Sequence, residues 1–325
     1  MSDLYPLLLL PEFKERVWGA RDLAPIYPNY KVEGEPIGEV WLTGDDCRVA
    51  NGRLTGQTLG LLAHRYGREL VGEAAPQAER FPLLIKFLFP RQKLSVQVHP
   101  RDEEARRAGL HCGKSECWYV VKAEIDAQVG IGLKPGTTRA DLEAALRRGD
   151  RADQLLNWIY IKPGEMVYNP AGTVHAIGPG SVLVEIQQNS DTTYRLYDYD
   201  RSRALHLEQG LQAMRERTGA GRVVPGSQKS MLAVSPWFRV EKFLVEGERI
   251  QIHKNTRPSS AWVVLGLDGC GVVAAGGSET SLATGDALVV PAGIAEFTVR
   301  PQWRLEYLSI AVPAPGAPHP PTKAS

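Results

Sequence analysis

The sequence has few cysteines, almost no net charge and no long hydrophobic run. Its 38 basic residues nearly balance its 37 acidic ones, and no basic block occurs, which argues against nucleic acid or an anionic membrane as the principal partner. None of the cysteines has the close spacing of a zinc knuckle, so we interpret all of them as free thiols. The four cysteines are Cys47, Cys112, Cys117 and Cys270.

Two kinds of targeting segment are also missing. No stretch approaches the length of a transmembrane helix. Residues 1–11 contain only a short apolar run, with an acidic residue near the start and no cleavage-site pattern, so they lack the features of a signal peptide. Because free thiols suit a reducing compartment, we expect a cytoplasmic protein.

Turn residues alternate with short apolar runs along the chain. The 32 glycines and 23 prolines separate β-rich segments such as residues 118–121 (WYVV), 181–184 (SVLV) and 287–290 (ALVV). This pattern predicts a protein with many strands. Helical periodicity is limited to patches that we expect to decorate or connect the sheets, at residues 59–70, 102–108, 139–148 and 205–217.

An internal repeat relates the two halves of the chain. Residues 162–172 (KPGEMVYNPAG) align with residues 283–293 (ATGDALVVPAG). Glycine, an acidic residue and a later Pro-x-Gly between strands are typical of double-stranded β-helix barrels, the cupin architecture, which is related to the jelly roll. We therefore predict an all-β bicupin with a few decorating helices. We assign residues 1–230 to a catalytic cupin domain, 231–312 to a degenerate cupin domain, and 313–325, rich in proline and alanine, to a flexible tail.

Polar and apolar side chains alternate in residues 94–99 (LSVQVH). If this segment is a strand, its period of two places Ser95, Gln97 and His99 on one face, which indicates a lined cavity. A lone His or Glu in a strand is usually a surface or core residue. Imidazole and carboxylate together, however, are favoured zinc ligands, and a small ligand set leaves room for water or substrate. We predict a catalytic metal site with the candidate ligands Gln97, His99, Glu116 and His175.

The second repeat lacks this ligand set. It has Glu296 where the first repeat has His175, and no equivalent of Glu116 accompanies His253. We therefore expect only the first barrel to bind metal, and we interpret His253 as a surface or core residue.

Several long motifs identify a family. They are residues 14–19 (KERVWG), 38–41 (GEVW), 81–86 (FPLLIK) and 187–201 (QQNSDTTYRLYDYDR). With them, the chain resembles the type I mannose-6-phosphate isomerases, also called phosphomannose isomerases, in their short bacterial form. The resemblance extends over residues 13–208, whereas the C-terminal third is similar only in its repeat pattern.

The resemblance implies an activity and a cofactor. The activity is the reversible interconversion of mannose 6-phosphate and fructose 6-phosphate through a cis-enediolate, and the cofactor is one zinc ion per chain. The family's zinc ligands fall on the residues that strand alternation and residue type already indicate, Gln97, His99, Glu116 and His175.

The resemblance also assigns the charged residues. The essential arginine of the family falls on Arg195, and its phosphate-binding groups fall on Ser95, Lys114 and Arg201. Where longer relatives have a lysine at the last position, Arg201 keeps the charge but changes the geometry of a phosphate contact. We predict Arg195, Glu185 and Lys114 as catalytic residues.

The proton-transfer base is left open among several groups. Glu185 lies in an apolar run, where burial would raise the pKa of its carboxyl toward the range useful for a base. It could equally orient a ligand. A metal-bound water, His99 and Asp191 are the rival bases.

Other functions remain compatible with the same barrel, because one fold hosts many chemistries. The first is another cupin enzyme, such as a sugar-phosphate epimerase or a metal-dependent oxygenase. Gln97 and the cationic side chains of Lys114, Arg195 and Arg201 favour a redox-neutral reaction of a small sugar phosphate. The second is a non-catalytic sugar-binding regulatory module, but no ligand of the set is lost. Either a monomer or a homodimer is compatible with the sequence.

Overall fold

Antiparallel strands dominate the structure, a computed structural model that describes residues 4–226, 230–255, 257 and 259–323. The predicted all-β class is thereby confirmed. Residues 227–229, next to the predicted domain boundary at residue 230, and residues 324–325, the end of the predicted tail, lie outside the described part. No helix in the described part of the chain is long and apolar enough to span a membrane.

The first thirteen strands span residues 7–223. The segment SVLVEIQQ, rich in β-branched and apolar residues, forms a strand that is buried along its whole length. In chain order these strands are Leu7–Leu9 (β1), Glu12–Ala20 (β2), Ile37–Trp41 (β3), Leu83–Leu88 (β4), Val96–Val98 (β5), Glu116–Ala123 (β6), Gln128–Leu133 (β7), Leu156–Tyr160 (β8), Met166–Asn169 (β9), His175–Ile177 (β10), Ser181–Gln188 (β11), Tyr194–Tyr197 (β12) and Gly221–Val223 (β13).

The remaining strands include two long ones that bend around the second barrel. They are Met231–Val234 (β14), Arg239–Glu246 (β15), Gln251–Lys254 (β16), Trp262–Ala275 (β17), Ser278–Ala283 (β18), Ala287–Val290 (β19), Glu296–Ala311 (β20) and Thr322–Lys323 (β21).

The helices are short and begin and end at recognisable signals. At the helix after Thr138, the Thr138 hydroxyl accepts from the Asp141 N–H (3.2 Å) and the Asp141 carboxylate accepts from the Thr138 N–H (2.9 Å). Gly149 ends this helix with φ 76°. The single run predicted over residues 59–70 is divided at Gly67, whose φ is 51°. The helices are Leu59–Tyr66 (α1), Arg68–Val71 (α2), Asp102–Arg107 (α3), Arg139–Arg148 (α4) and Leu207–Ala213 (α5).

Two sheets form the first barrel. One has the strand order β2-β3-β4-β11-β6-β9-β13-β21, and the other has the order β12-β5-β10-β7-β8. Their apolar inner side chains meet at one end of the barrel, where Trp118, Leu183 and Ile131 belong to one buried cluster. The inner residues at the other end are polar, and that end holds the candidate site.

The second barrel is formed by a sheet with the order β1-β19-β17-β20-β15-β14, with β16 paired to β20 and β18 to β17. Aromatic side chains fill its interior. His253 is buried there, its Nε2 lies 2.8 Å from the Tyr307 hydroxyl, and its ring stacks on Phe297 at 4.6 Å. His253 is therefore a core residue, one of the two interpretations that the sequence left open.

The two barrels pack against each other through the outer faces of their central strands. Phe87 and Val184 of the first barrel belong to the same buried cluster as Val263 and Ile310 of the second. Burial of each such side chain stabilises the fold by about 1.5–3 kcal/mol.

Both ends of the described chain pair across the predicted domain boundary. Strand β1 pairs with β19 of the second barrel, and β21 pairs with β13 of the first. In the segment predicted as a tail, His319 lies 2.8 Å from the Tyr168 hydroxyl and against the Trp237 ring. The mobility of this tail and the division at residue 230 stay predictions.

Candidate active site

Three buried side chains bring metal-ligating atoms together at the polar end of the first barrel. His99 follows β5, Glu116 begins β6 and His175 begins β10, and their ligand atoms all lie within 4.8 Å of one another. The two Glu116 oxygens each lie 3.4 Å from one imidazole Nε2. No other such group of His, Cys, Asp or Glu occurs among the residues that the structure describes.

Strand pairing supplies the fourth predicted ligand. Gln97 is directly opposite His175 in the β5–β10 pair, and its Nε2 donates to His175 Nε2 at 3.1 Å. The Ser95 hydroxyl donates to Gln97 Oε1 at 3.0 Å, so Ser95 and Gln97 share one face of the strand as alternation predicts. The four side chains predicted as ligands therefore lie together.

Hydrogen bonds from neighbouring backbone orient both imidazoles. His99 Nδ1 donates to the Thr192 carbonyl at 3.0 Å, and His175 Nδ1 donates to the Thr173 carbonyl at 2.9 Å. Because a carbonyl can only accept, the proton of each neutral ring is on Nδ1 and the Nε2 lone pair faces Glu116. This is the arrangement in which metal-ligating histidines are held.

The protonation states also suit a cation. Burial, together with the charge of Lys114, lowers the pKa of His99 to about 3. Burial likewise lowers the pKa of His175. Although burial alone would raise it, the charge of Lys114 holds the pKa of Glu116 well below its usual range. At neutral pH the group therefore consists of two neutral imidazoles and one carboxylate.

A cationic side chain already occupies the acceptors of this group. Lys114 Nζ donates to Glu116 Oε2 at 2.6 Å and to His99 Nε2 at 3.0 Å. The Asn169 amide donates to the other Glu116 oxygen at 2.8 Å. Since an ammonium stands among the candidate ligand atoms, the set fits a positively charged group such as zinc.

A second charged cluster lies beside the first. Glu185 is buried on β11, where its Oε1 accepts from Trp118 Nε1 at 3.1 Å and its Oε2 lies 3.5 Å from Lys86 Nζ. Burial raises the pKa of Glu185, against the opposing charge of Lys114. The carboxyl is thus more basic than an exposed one and is held by two neighbours.

Lys86 is a site residue that sequence reasoning missed. Its ammonium is buried, lies within 3.5–3.8 Å of carboxylate oxygens of Glu185, Asp191 and Glu39, and sits 4.7 Å from the centre of the Trp41 ring. These carboxylates raise the pKa of Lys86 despite its burial. The sequence did contain a signal for Lys86, which is the only charged residue in the apolar strand LLIKFL. A lysine that is buried in such a strand needs carboxylate or other polar partners.

A cavity of about 480 Å³ lies beside these groups; Lys86 and Glu185 line it, whereas His99, Glu116 and His175 are not among its lining residues. Five of the predicted site residues line it, and Arg201 is not among its lining residues. The Arg201 guanidinium instead donates to the Lys93 carbonyl at 2.9 Å and to Gln92 at 3.2 Å. The predicted residues in the lining are Ser95, Gln97, Lys114, Glu185 and Arg195.

Comparison with known proteins agrees with this site. A family model described as the catalytic domain of type I phosphomannose isomerase matches residues 7–127. The mannose-6-phosphate isomerase ManA of Bacillus subtilis is 36% identical over 309 residues, which are 90% of this chain and 95% of that protein. A mannose-6-phosphate isomerase of Streptococcus mutans is 34% identical over 301 residues, covering 88% of this chain and 92% of the relative.

A solved structure extends the likeness to the whole fold. The crystal structure of the mannose 6-phosphate isomerase from Bacillus subtilis superposes with a TM-score of 0.81 at 31% identity, covering 94% of this chain and 99% of that one. Sequence identity, coverage and fold therefore agree. The chain belongs to the type I phosphomannose isomerase family.

Proposed function

We propose that this protein is a zinc-dependent isomerase that reversibly interconverts mannose 6-phosphate and fructose 6-phosphate. The observation that carries the proposal is a buried carboxylate between two oriented imidazoles, next to a cavity whose lining includes Lys114, Arg195 and Arg203. The names of the relatives support the substrate, since they are mannose-6-phosphate isomerases. The four free cysteines support a cytoplasmic location.

One zinc ion would be held by the four side chains predicted as ligands. When bound, zinc supplies Lewis-acid polarisation of a carbonyl oxygen. The oriented Nε2 lone pairs and the ionised carboxylate support this assignment, because zinc binds deprotonated ligands. The ligands would be Gln97, His99, Glu116 and His175.

Glu185 is our candidate for the base that moves the proton between C1 and C2. Trp118 holds Oε1 through its N–H, which leaves Oε2 to take the proton from C2 of the open-chain aldose and return it to C1. The raised pKa makes this carboxylate a stronger base at neutral pH. The Lys86 ammonium, 3.5 Å away, stabilises the ionised form that must exist before the transfer.

Arg195 would supply a fixed positive charge to the oxygens on which negative charge develops. Its Nη1 donates to the Ala204 carbonyl at 2.9 Å, which restrains the guanidinium at the cavity wall. Ser95 and Lys114 line the same cavity and remain candidates for substrate oxygens. For Arg201, a substrate contact stays a prediction.

The test is a coupled assay of mannose 6-phosphate conversion on purified protein as isolated, after chelation and after zinc is restored. Zinc content is measured in each sample. We expect turnover to be lost on chelation and regained with one zinc per chain. Fully zinc-loaded protein without turnover would reject the proposed function.

A further inference from the structure

A buried carboxylate organises three arginines at one side of the cavity. Asp198 is 3% exposed, and its oxygens accept from Arg203 Nε at 2.8 Å and Arg203 Nη2 at 2.6 Å. Arg201 Nη1 donates to the same carboxylate at 3.4 Å, and Arg195 Nε lies 4.0 Å from it. Three guanidinium groups around one carboxylate leave two positive charges uncompensated by it, which favours binding of an anion.

Arg203, rather than Arg201, presents its guanidinium to the cavity. Arg203 lines the cavity, and the paired contact with Asp198 fixes the plane of its guanidinium. Within the described part of the chain, its Nη1 makes no hydrogen bond and is left for a ligand. Arg195 lines the same cavity, and its Nε lies 4.0 Å from the carboxylate that holds Arg203.

His206 adds a neutral donor to the same wall. Its backbone N–H donates to the Arg195 carbonyl at 2.7 Å, and its Nδ1 accepts from the Arg195 N–H at 3.3 Å. A ring nitrogen that accepts carries no proton, so the proton of the neutral ring is on Nε2. His206 lines the cavity, where this Nε2–H is available to a substrate oxygen.

Two of the residues predicted to bind phosphate, Ser95 and Lys114, contact the candidate metal ligands. The Ser95 hydroxyl proton is directed to Gln97, and the Lys114 ammonium is held by Glu116 and His99. Arg203 and His206 instead line the cavity without contacting the candidate metal ligands, so their free donors would face a substrate whether or not zinc is bound.

We propose that the phosphate group of the sugar phosphate binds between Arg203 and His206, with Asp198 as the residue that positions Arg203. This inference rests on the proposed function for the identity of the substrate. Arg203 Nη1 keeps two N–H donors for phosphate oxygens, and the neutral imidazole N–H of His206 adds a third. Arg201 does not line the cavity and donates to the Lys93 carbonyl at 2.9 Å, so we do not assign it this contact.

The experiment measures kcat and KM for mannose 6-phosphate together with calorimetric binding of inorganic phosphate. Losing one charge-assisted hydrogen bond costs roughly tenfold or more in affinity. Arg203→Ala should therefore raise both KM and the phosphate dissociation constant about tenfold or more, with kcat changed by less than about threefold. His206→Gln, which keeps a donor near the Nε2 position, should bind phosphate better than His206→Ala.

Two variants separate the alternatives. Arg148→Ala, at the exposed end of α4, removes an equivalent charge away from the cavity and should leave both constants unchanged. Arg201→Ala tests the competing assignment. If Arg201→Ala weakens phosphate binding and Arg203→Ala does not, the proposal is overturned.

Asp198→Asn tests the positioning role, because it keeps the shape and removes the charge that aligns Arg203. It should raise KM for mannose 6-phosphate while zinc content and kcat stay near wild type. If this variant does not fold, the comparison of Arg203→Ala with Arg201→Ala and of His206→Gln with His206→Ala still tests the proposal. The wild-type protein could bind phosphate in an Arg203-dependent way and yet fail to convert mannose 6-phosphate. That result would support the phosphate-binding site and reject the isomerase function.

Discussion

Replacing Lys86 with methionine should destabilise the fold because it leaves a buried carboxylate without its nearest cation. Lys86 lies 3.5 Å from Glu185, a separation at which the attraction is about 5 kcal/mol for an effective dielectric constant of ~20. Desolvation of the ammonium, which the variant avoids, offsets part of this. Glu39 keeps its partner Arg16 at 3.0 Å, and Asp191 is largely exposed. Glu185 keeps Lys114 at 4.0 Å, but that ammonium is bound more closely by Glu116 at 2.6 Å, so Glu185 carries most of the loss. We expect a loss of about 3 kcal/mol in the free energy of unfolding.

Urea denaturation at pH 7 measures this loss, with Lys122→Met as the matched control. Lys122 is an exposed lysine, so the same substitution there should leave the midpoint nearly unchanged. The double variant Lys86→Met with Glu185→Gln should regain part of the stability, because it removes the uncompensated charge. A single Lys86→Met variant that unfolds at the wild-type urea concentration would refute the reasoning.

Three further predictions concern separate parts of the molecule. Glu185→Gln should reduce kcat by roughly 100-fold or more while zinc content stays at the wild-type level, and a smaller loss would show that another group transfers the proton. Thr138→Ala should lower the free energy of unfolding by about 1 kcal/mol, as measured by urea denaturation, since it removes the cap of α4. Burial and the nearby Arg239 charge lower the pKa of His253 to about 4, below its value in the unfolded chain. As the pH falls, the unfolded state therefore takes up this proton before the folded state does. The free energy of unfolding should then decrease between about pH 6.5 and pH 4. The decrease due to His253 is at most about 3 kcal/mol. Thermal melts of His253→Gln should show a smaller loss of stability across this pH range than those of the wild type. An unchanged pH dependence would contradict the assignment.

Much of the fold follows from local pattern. The repeat of residues 162–172 and 283–293 lies in corresponding turns and strands of the two barrels, and the signals at Thr138 and Gly149 place both ends of α4. Strand alternation also places Ser95 and Gln97 on one face. These features depend on neighbours in sequence, which periodicity can detect.

The parts of the site that pattern could not predict depend on partners far along the chain. Arg201 and Arg203 are two residues apart and chemically equal, yet Arg201 turns to the Lys93 carbonyl and Arg203 to the cavity. Lys86 is likewise explained only by carboxylates that other strands bring to it. Tertiary contacts, rather than residue type or spacing, decide which of several similar cations serves the site.

The crossed pairing of β1 and β21 has a consequence for synthesis of the chain. Leu7–Leu9 is made early, but its partner β19 is about 280 residues further along. At 5–20 residues per second, the ribosome needs roughly 15 to 55 s to reach β19. Until then β1 is paired only with residues 48–50, so its edge toward β19 stays open, and open strand edges are prone to aggregate. Nascent chains of this protein should therefore depend on chaperones until β19 has emerged, after which β1 can close the second barrel.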